Sequence, residues 1–507
     1  MKASTRNLTA AASAAVLAIT LLAAAPAAAG NSHHGIDWQP CPDVDPAEAV
    51  ECATIAVPLD YDRPWGEKIE IGLARRQAAN PDEKIGTILM DPGGPGGSGV
   101  DSIKGGNPLT GEAAEKFDMV GFDPRGVNTS TQVVCGAEAL DAVYSVGIPS
   151  DQESFEALEA ANAALTEDCR DRTGKLFDHV SNLETVEDME RIRRALGEGK
   201  LNYLGYSYGT LMGQQYAEEY PRKIRTMVLD GNMDHSLEST WDFMSTETAA
   251  VEENFGAFAA WCEAEAECAL HGEDVETVYA ELKARARAGT LTDPYLGEPL
   301  GFYGLAENFT FSANFPQFWP FLADEYEAMR NGELLPGVSA FQEEEEFENL
   351  YYPAWCQDWG FEIDDYAEFD DLLGGLAEEY PNVEWTPYNQ HALTCVGSGI
   401  EPVNERDELD IDHAPPIVFI GNEHDPATVY DWSLASSEQA GGHLITYEGY
   451  WHTVYGGLSE CIDESVNAYF VDKTVPEAGL SCPNLDFPGE IEALSGPRAP
   501  RTGPYSF

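Results

Sequence analysis

Ser207, which lies between two glycines, is the side chain of this sequence best placed for covalent chemistry. The segment LGYSYGT puts Gly205 and Gly209 around it, and an apolar run at 201–204 precedes it. A serine hydroxyl is a weak nucleophile unless a base takes its proton and the side chain projects freely. A sharp turn from a strand into a helix provides that projection, and its crowded backbone requires glycine on both sides. We therefore predict that Ser207 is a nucleophile at such a turn.

The acid and the base that serve such a serine are expected downstream, in the order acid and then histidine. Asp425 follows the predicted strand IVFIG, and His452 follows the predicted strand HLITYEG. Parallel strands end at a common edge of their sheet, and the turn at Ser207 ends a strand as well. We predict that His452 takes the serine proton and that Asp425 orients the imidazole and stabilises its charged form.

Other residues compete for these two roles. Asp230 follows the predicted strand IRTMVL, a position from which it would serve as the acid in place of Asp425. His424 adjoins Asp425, and His443 precedes its strand, so both are weaker candidates for the base than His452. The sequence alone leaves these alternatives open.

Two backbone N–H groups are expected to stabilise the oxyanion that forms when a serine attacks a carbonyl group. The residue after the nucleophile, Tyr208, supplies one of them. The glycine-rich segment DPGGPGGSG at 91–99 follows another predicted strand, and we assign the second N–H to Gly94 in this segment. Such glycines also bind phosphate in other proteins, but no Gly-Lys-Ser/Thr sequence closes this segment.

The segments around these residues alternate between strands and helices. Helical spacing covers residues 182–197 and returns directly after Ser207. The predicted strands are short apolar runs that end in loops, as buried parallel strands do, at IGTILM, FDMVGFD, LNYLG, IRTMVLDG and PPIVFIG. This alternation predicts an α/β fold with a mostly parallel sheet and helices on both faces.

A helical region divides the predicted sheet into two parts. From 236 to 400 aromatic and acidic residues are dense and helical spacing dominates, and the strand pattern returns after 410. The predicted organisation is a first core part at 40–235, an inserted, mostly helical cap at 236–400, a second core part at 401–490 and a tail at 491–507. A cap over the catalytic edge would limit which substrates reach the serine.

The first 29 residues have the composition of a secretory signal peptide. Lys2 and Arg6 precede an apolar stretch rich in alanine and leucine, and small residues lead to a cleavage site near Ala29. We expect a secreted, extracellular protein without a membrane anchor, because no later stretch is apolar for long enough to span a bilayer. Export makes disulfides the expected state of the ten cysteines. Pairing of nearest neighbours would close five short loops, although the sequence does not fix this connectivity.

The chain is strongly acidic, with a formal net charge of −61. Such a field repels nucleic acid and anionic membranes, and we expect neither as a partner. No Cys-x-x-Cys pair indicates a zinc or redox site. We expect a monomer.

Five segments together resemble the α/β-hydrolase exopeptidases related to proline iminopeptidases, above all the secreted actinobacterial tripeptidyl aminopeptidases. Within residues 40–485 they are DPGGPGGSG, GFDPRGVNTS, LGYSYGT, GNEHDPAT and YEGYWHT. The resemblance implies an α/β-hydrolase fold with a helical cap, removal of short peptides, tripeptides in that subgroup, from free N-termini, and neither metal nor cofactor. It implies the same triad and oxyanion residues. Asn128 and Trp451 depart from the family pattern, since glycine is common at both positions, and Trp451 bears on the pocket shape.

A peptidase that acts at free N-termini must bind an ammonium group, and the predicted cap offers carboxylates for this purpose. Asp358 lies between two tryptophans and close to a cysteine, and Glu252 and Glu253 lie in the first predicted helix of the cap. The sequence does not choose among the three. A carboxylesterase with the same triad is the alternative function. A binding protein that kept the fold without catalysis is a third possibility, against which the complete triad argues.

Overall fold

The structure is a computed structural model that describes residues 35–313, 315–336, 346–348 and 351–485. The predicted signal peptide at 1–29 and the predicted tail at 491–507 lie outside these residues. The strands are β1 (Gln39–Pro40), β2 (Glu51–Pro58), β3 (Lys68–Arg76), β4 (Gly86–Asp91), β5 (Phe117–Phe122), β6 (Val134–Gly136), β7 (Leu201–Tyr206), β8 (Ile224–Asp230), β9 (Glu346–Glu348), β10 (Val418–Asn422), β11 (His443–Glu448) and β12 (Ser481–Pro483).

The α-helices are α1 (Gly99–Gly105), α2 (Gly111–Lys116), α3 (Ala137–Val146), α4 (Gln152–Thr173), α5 (Asn182–Ala195), α6 (Tyr208–Glu219), α7 (Thr240–Ala264), α8 (Val275–Arg287), α9 (Phe302–Ala313), α10 (Trp319–Asn331), α11 (Tyr351–Asp358), α12 (Tyr366–Glu379), α13 (Tyr430–Gln439) and α14 (Glu460–Asp472). The strands and the helix that the sequence predicts around Ser207 are confirmed. The helix after it begins at Tyr208, directly after the serine.

One large sheet forms the centre of the described residues, with strand order β1-β2-β3-β5-β4-β7-β8-β10-β11-β12. From β5 to β12 in this order, every neighbouring pair is parallel, whereas β1, β2 and β3 are joined by antiparallel pairs. The parallel strands β4, β7, β8, β10 and β11 therefore end at one edge. The predicted mostly parallel sheet is confirmed.

Helices cover both faces of this sheet. Successive residues of a strand point to opposite faces, so neighbouring residues of one strand pack against different helices. On β4, Ile88 and Met90 pack in the apolar cluster that contains α1, α2 and α14. Leu89, between them, packs in the cluster that contains α5 and α6. The strands consequently carry continuous apolar runs, which is the pattern of a parallel sheet buried on both faces.

Helices α7 to α12 lie in the chain between β8 and β10, which are direct neighbours in the sheet. We call α7–α12 the helical segment. Its helices α7, α8, α9 and α10 enclose an apolar cluster of their own, which includes Phe255, Phe258, Tyr279 and Phe309. This second cluster explains why the region reads as helical and aromatic in the sequence.

The ten cysteines all lie among the described residues and form five disulfides. The pairs are Cys41–Cys52, Cys135–Cys169, Cys262–Cys268, Cys356–Cys395 and Cys461–Cys482. The disulfide prediction is confirmed, and the connectivity is that of nearest neighbours. Among the described residues, no helix has the length and apolarity that crossing a membrane requires.

Candidate active site

Ser207 lies at the sharp turn between β7 and α6. Its backbone has φ 53° and ψ −125°, a conformation that is strained for any residue with a side chain. A Cβ atom at Gly205 would lie 2.5 Å from the carbonyl oxygen of Gly209, and one at Gly209 would lie 2.7 Å from the carbonyl oxygen of Asp91. Both contacts are too short for any residue but glycine, which gives the two glycines of the motif their physical reason.

Hydrogen bonds to neighbouring elements hold this strained turn. The Ser207 N–H donates to the carbonyl of Asp230 at 2.9 Å, which ties the turn to the end of β8. The Ser207 carbonyl accepts from the Thr210 N–H at 2.8 Å and from the Thr210 hydroxyl at 2.6 Å. The turn is therefore fixed from both sides.

His452 and Asp425 form a hydrogen-bonded pair on the loops that follow β11 and β10. His452 Nδ1 lies 2.9 Å from Asp425 Oδ2. The same carboxylate accepts from the Thr428 hydroxyl at 2.9 Å through Oδ2, and from the N–H groups of Ala427 and Thr428 through Oδ1. Asp425 is 1% exposed, whereas a quarter of the His452 side chain is exposed. This is the geometry of an imidazole oriented by a buried carboxylate.

The electrostatics of the pair favour a charged imidazole. Burial alone would lower the pKa of His452, but the charge and the hydrogen bond of Asp425, together with the charge of Asp230, raise it above its ordinary value. A base with a raised pKa binds the serine proton more firmly and stabilises the imidazolium that forms during attack.

Asp230, the competing acid, has a different set of contacts. Its Oδ2 accepts from the N–H of Val454 at 2.8 Å and from the N–H of Tyr455 at 2.7 Å, both on the loop that carries His452. Burial raises the pKa of Asp230 to about 7, which these two N–H bonds and the charge of His452 oppose. The hydrogen bond to the imidazole belongs to Asp425 and not to Asp230.

The other candidate bases lie apart from this pair. His424 stacks on Tyr450 with ring centroids 4.2 Å apart, and its Nδ1 lies 3.5 Å from a Glu253 carboxylate oxygen. His443 begins β11, at the opposite end of the strand from the loop of His452.

The glycine-rich segment lies against the nucleophile turn. A Cβ at Gly93 would lie 2.8 Å from the Tyr208 nitrogen and 2.9 Å from the Ser207 Cβ. The Gly93 N–H donates to Asp91 Oδ1 at 2.8 Å, whereas within the described residues the Gly94 N–H donates to no acceptor. This difference agrees with the choice of Gly94, which stays a prediction together with Tyr208.

Asp358 ends α11, contacts the residue that follows Ser207, and is 0% exposed. It accepts from the Tyr208 hydroxyl at 2.6 Å, from the Asn182 N–H at 2.8 Å and from the Asn404 amide at 2.9 Å. Burial raises the pKa of Asp358 to about 6, and these hydrogen bonds oppose the rise. A substrate ammonium would have to displace these donors, so the contacts of Asp358 are those of a residue that holds Tyr208. Its predicted contact with a substrate amine is not part of the geometry.

The two predicted glutamates differ in accessibility. Glu252 accepts from the N–H groups of Asn382 and Val383, which joins α7 to a later loop of the helical region. The Glu253 side chain is 67% exposed and lies beside His424, the residue that precedes Asp425. Of the three predicted carboxylates, Glu253 is the one open to solvent near the triad.

Glu247, six residues before Glu253 in α7, was not predicted. It is 2% exposed, and its Oε2 has no hydrogen-bond partner among the described residues. Burial, followed by the charge of Asp425, raises its pKa well above the ordinary value. Its spacing from Val251 places it on the buried face of α7, which is the sequence signal that could have singled it out among many surface acids.

A cavity of about 450 Å³ opens beside His452. Helix α1 lines it with Ser102, the loop after α1 lines it with Asn107, and the histidine loop lines it with Thr453 and Gly456. No group of three or more His, Cys, Asp or Glu side chains in the described part of the chain is arranged to hold a metal ion.

The sequence profile of the α/β-hydrolase fold family matches residues 86–440. Serine protease Hip1 of Mycobacterium tuberculosis is 29% identical over 477 residues, which is 88% of this chain and 91% of that protein. Tripeptidyl aminopeptidase of Streptomyces lividans is 27% identical over 482 residues, which is 90% of this chain and 88% of that protein. Carboxylesterase B of Mycobacterium tuberculosis is 29% identical over 477 residues, which is 88% of this chain and 89% of that protein. The chain belongs to the α/β-hydrolase fold family and is a serine hydrolase.

Proposed function

We propose that this protein is a secreted serine exopeptidase that releases short peptides, tripeptides above all, from free N-termini. The observation that carries the proposal is the contact between α7 and the triad loop, where the exposed carboxylate of Glu253 lies 3.5 Å from His424, one residue before Asp425. A carboxylate so placed would hold a substrate ammonium at a fixed distance from the nucleophile.

The reaction proceeds through an acyl-enzyme. Ser207 Oγ attacks the carbonyl carbon of the scissile amide while its proton moves to His452 Nε2. The C–N bond then breaks, and the leaving amine takes that proton from His452. Water attacks the acyl-enzyme, gives its proton to His452, and releases the peptide acid as the serine regains its hydrogen. Asp425 keeps the imidazole in the tautomer that presents Nε2 to the serine.

The N–H groups of Gly94 and Tyr208 would stabilise the oxyanion of both tetrahedral intermediates. The hydrogen bond from the Tyr208 hydroxyl to Asp358 supports this role, because it fixes the first residue of α6. Asp358 therefore enters the proposal as a residue that positions the oxyanion site.

We propose residues 236–400 as a cap that admits one end of a peptide. Two ring contacts support it. The ring centroids of Phe315 and Trp451 lie 4.7 Å apart and those of Trp319 and Tyr450 lie 5.3 Å apart, so this region contacts the two residues that precede His452. The carboxylates of the cap attract an ammonium and repel a terminal carboxylate, so the N-terminus is the end that enters.

The relatives and the disulfides support the finer statements. A relative of similar length is named a tripeptidyl aminopeptidase, from which we take the release of three residues. Five disulfides fit an oxidising, extracellular location, in agreement with the predicted signal peptide. The alternative function, a carboxylesterase, is favoured by another relative that carries that name.

The test compares a tripeptide anilide that has a free amine with the same compound N-acetylated. Acetylation removes the positive charge, and loss of one partner of a buried charge pair costs about 2–5 kcal/mol. Since the Glu253 side chain is 67% exposed and water screens its charge, we expect a smaller effect than for a buried pair, a fall in kcat/KM of about tenfold. Equal rates for the two compounds would move the assignment to an esterase or an endopeptidase.

A matched pair of variants locates the amine site. Glu253→Gln should reduce the preference for the free amine, because it removes the charge without changing the shape of the side chain. Glu263→Gln makes the same change at an exposed position near the other end of α7 and should leave the preference intact. A preference unchanged in Glu253→Gln would exclude Glu253 as the residue that reads the amine.

A further inference from the structure

Asp230 joins the nucleophile turn to the histidine loop. Its backbone carbonyl accepts from the Ser207 N–H at 2.9 Å, and its Oδ2 accepts from the N–H groups of Val454 and Tyr455. One residue at the end of β8 therefore bonds to the segments that carry the serine and the histidine.

The histidine loop needs such support because its backbone is strained on both sides of His452. Trp451 has φ 149° and Thr453 has φ 64°, values that residues with side chains rarely adopt. Strain of this kind persists only where surrounding contacts determine the conformation. After the histidine, the N–H of Val454, the residue that follows Thr453, donates to Asp230. Before the histidine, the Asn422 side-chain amide donates to the Trp451 carbonyl at 2.7 Å.

The second oxygen of Asp230 is unpaired. Its Oδ1 has no hydrogen-bond partner among the described residues, and the side chain is 0% exposed. The titratable groups that face Asp230 electrostatically are His452 from the loop after β11, Asp425 from the loop after β10, and Tyr206 from β7. Of these groups, only His452 is a base, so it is the group that a charge on Asp230 stabilises.

We propose that Asp230 is a positioning residue that locks the histidine loop onto the nucleophile turn and supplies a second negative charge to the His452 imidazolium. This inference rests on the proposed roles of Ser207 and His452. Asp425 sets the tautomer through its hydrogen bond, and Asp230 adds charge without bonding to the ring.

The proposal has a defined pH signature. Burial raises the pKa of Asp230 to about 7, so that its charge appears close to the pH range in which His452 also titrates. Two groups that interact in this way lose their protons as a coupled pair. Removal of the Asp230 charge destabilises the imidazolium, so the pKa of His452 must fall.

The test is the pH dependence of kcat/KM for Asp230→Asn. Asparagine keeps an oxygen that accepts from Val454 and Tyr455, so the loop is retained while the charge is lost. We expect kcat to fall about tenfold and the acid limb of the profile to move to lower pH by roughly half a unit or more, since one pKa unit corresponds to a tenfold change in proton affinity. An acid limb that stays in place or moves to higher pH would overturn the proposal.

Asp463→Asn is the matched control. Asp463 Oδ1 accepts from the Gly456 N–H at 3.1 Å, so this carboxylate supports the same loop four residues beyond His452. The same substitution there should leave the acid limb where it is in the wild type. An equal shift in both variants would mean that loop support, and not the charge of Asp230, sets the limb.

A second measurement leaves Asp230 unchanged. NMR titration of His452 in the folded Ser207→Ala protein should show two steps, one from its own proton and one from Asp230. A single step would contradict the proposal. Fluorophosphonate labelling distinguishes failure of the proposed function from failure of the role of Asp230. Wild-type protein that is not labelled at Ser207 would contradict the proposed function. Normal labelling together with an unshifted acid limb in Asp230→Asn would contradict only the role of Asp230.

Discussion

Replacement of Asp425 by asparagine should disable the proposed base while preserving the fold. Asp425 Oδ1 accepts from the backbone N–H groups of Ala427 and Thr428, so an amide NH₂ cannot occupy that side. The asparagine oxygen must therefore take the Oδ1 position, and its NH₂ must point at the Thr428 hydroxyl and at His452 Nδ1. An NH₂ group donates to Nδ1 and leaves the imidazole proton on Nε2, where the ring cannot accept the proton of Ser207.

The size of the effect follows from the loss of this tautomer. A wrong tautomer in a triad of this kind lowers kcat by about 10⁴-fold. At about 1.36 kcal/mol for each factor of ten, the loss of transition-state stabilisation is about 5 kcal/mol. The assay is kcat/KM for a tripeptide anilide, with the melting temperature and circular dichroism as checks of the fold.

Asp431→Asn provides the control, because Asp431 is exposed in the first turn of α13, six residues after Asp425. That variant should keep wild-type activity. A folded Asp425→Asn protein that retained more than about a tenth of the wild-type rate would exclude Asp425 as the residue that sets the His452 tautomer, since effects of tautomer loss are far larger.

Three further predictions concern the scaffold. Titration of the denatured, unreduced protein should find no free thiol, and reduction should lower the free energy of unfolding by about 2–4 kcal/mol for each unstrained disulfide. Because burial raises the pKa of Asp358 to about 6, the folded protein keeps a proton that the unfolded chain releases above its ordinary pKa of 3.8. The contribution of this group to the free energy of unfolding should therefore fall as pH rises from about 4 to 6, and denaturation series should show a smaller fall for Asp358→Asn. Gly205→Ala should lower the melting temperature and the activity because its Cβ would lie 2.5 Å from the Gly209 carbonyl, whereas Gly256→Ala in α7, with no atom within 4 Å, should stabilise the protein by up to about 1 kcal/mol. A Gly205→Ala protein as stable as the wild type would contradict the strained turn.

The parts of the site that depend on local sequence were predictable. The nucleophile turn is defined within a few residues of Ser207, and the strands before Asp425 and His452 are short apolar runs that end in loops. The sheet and its two helical layers follow from the same alternation. These signals come from neighbouring residues, which a single sequence displays.

The choice between the two acids was not settled by local sequence. Asp230 and Asp425 both follow strands, and strands β8 and β10 are direct neighbours, so both carboxylates reach the same edge. The direction of each side chain decides the outcome, and that direction depends on the loop that carries His452.

Contacts between distant segments were missed for the same reason. The tryptophans on either side of Asp358 are visible in the sequence, but the Tyr208 hydroxyl that it binds is 150 residues away in the chain. The guanidinium of Arg125 binds Asp188 at 2.7 and 2.9 Å, 63 residues away in the chain, and no local pattern indicates this pair. Glu247 lies among the many acids of the helical segment, and its spacing from the apolar Val251 is the one sequence signal of its burial.

The most direct test of the central claim is mass spectrometry of the protein quenched in acid during turnover of a tripeptide ester that has a free amine. With an ester, formation of the acyl-enzyme is fast, so the covalent intermediate should accumulate. We predict that the peptide containing Ser207 gains the mass of one tripeptide acyl group, and that Ser207→Ala shows no such gain. An adduct on any other residue, or steady turnover by the Ser207→Ala protein, would contradict it.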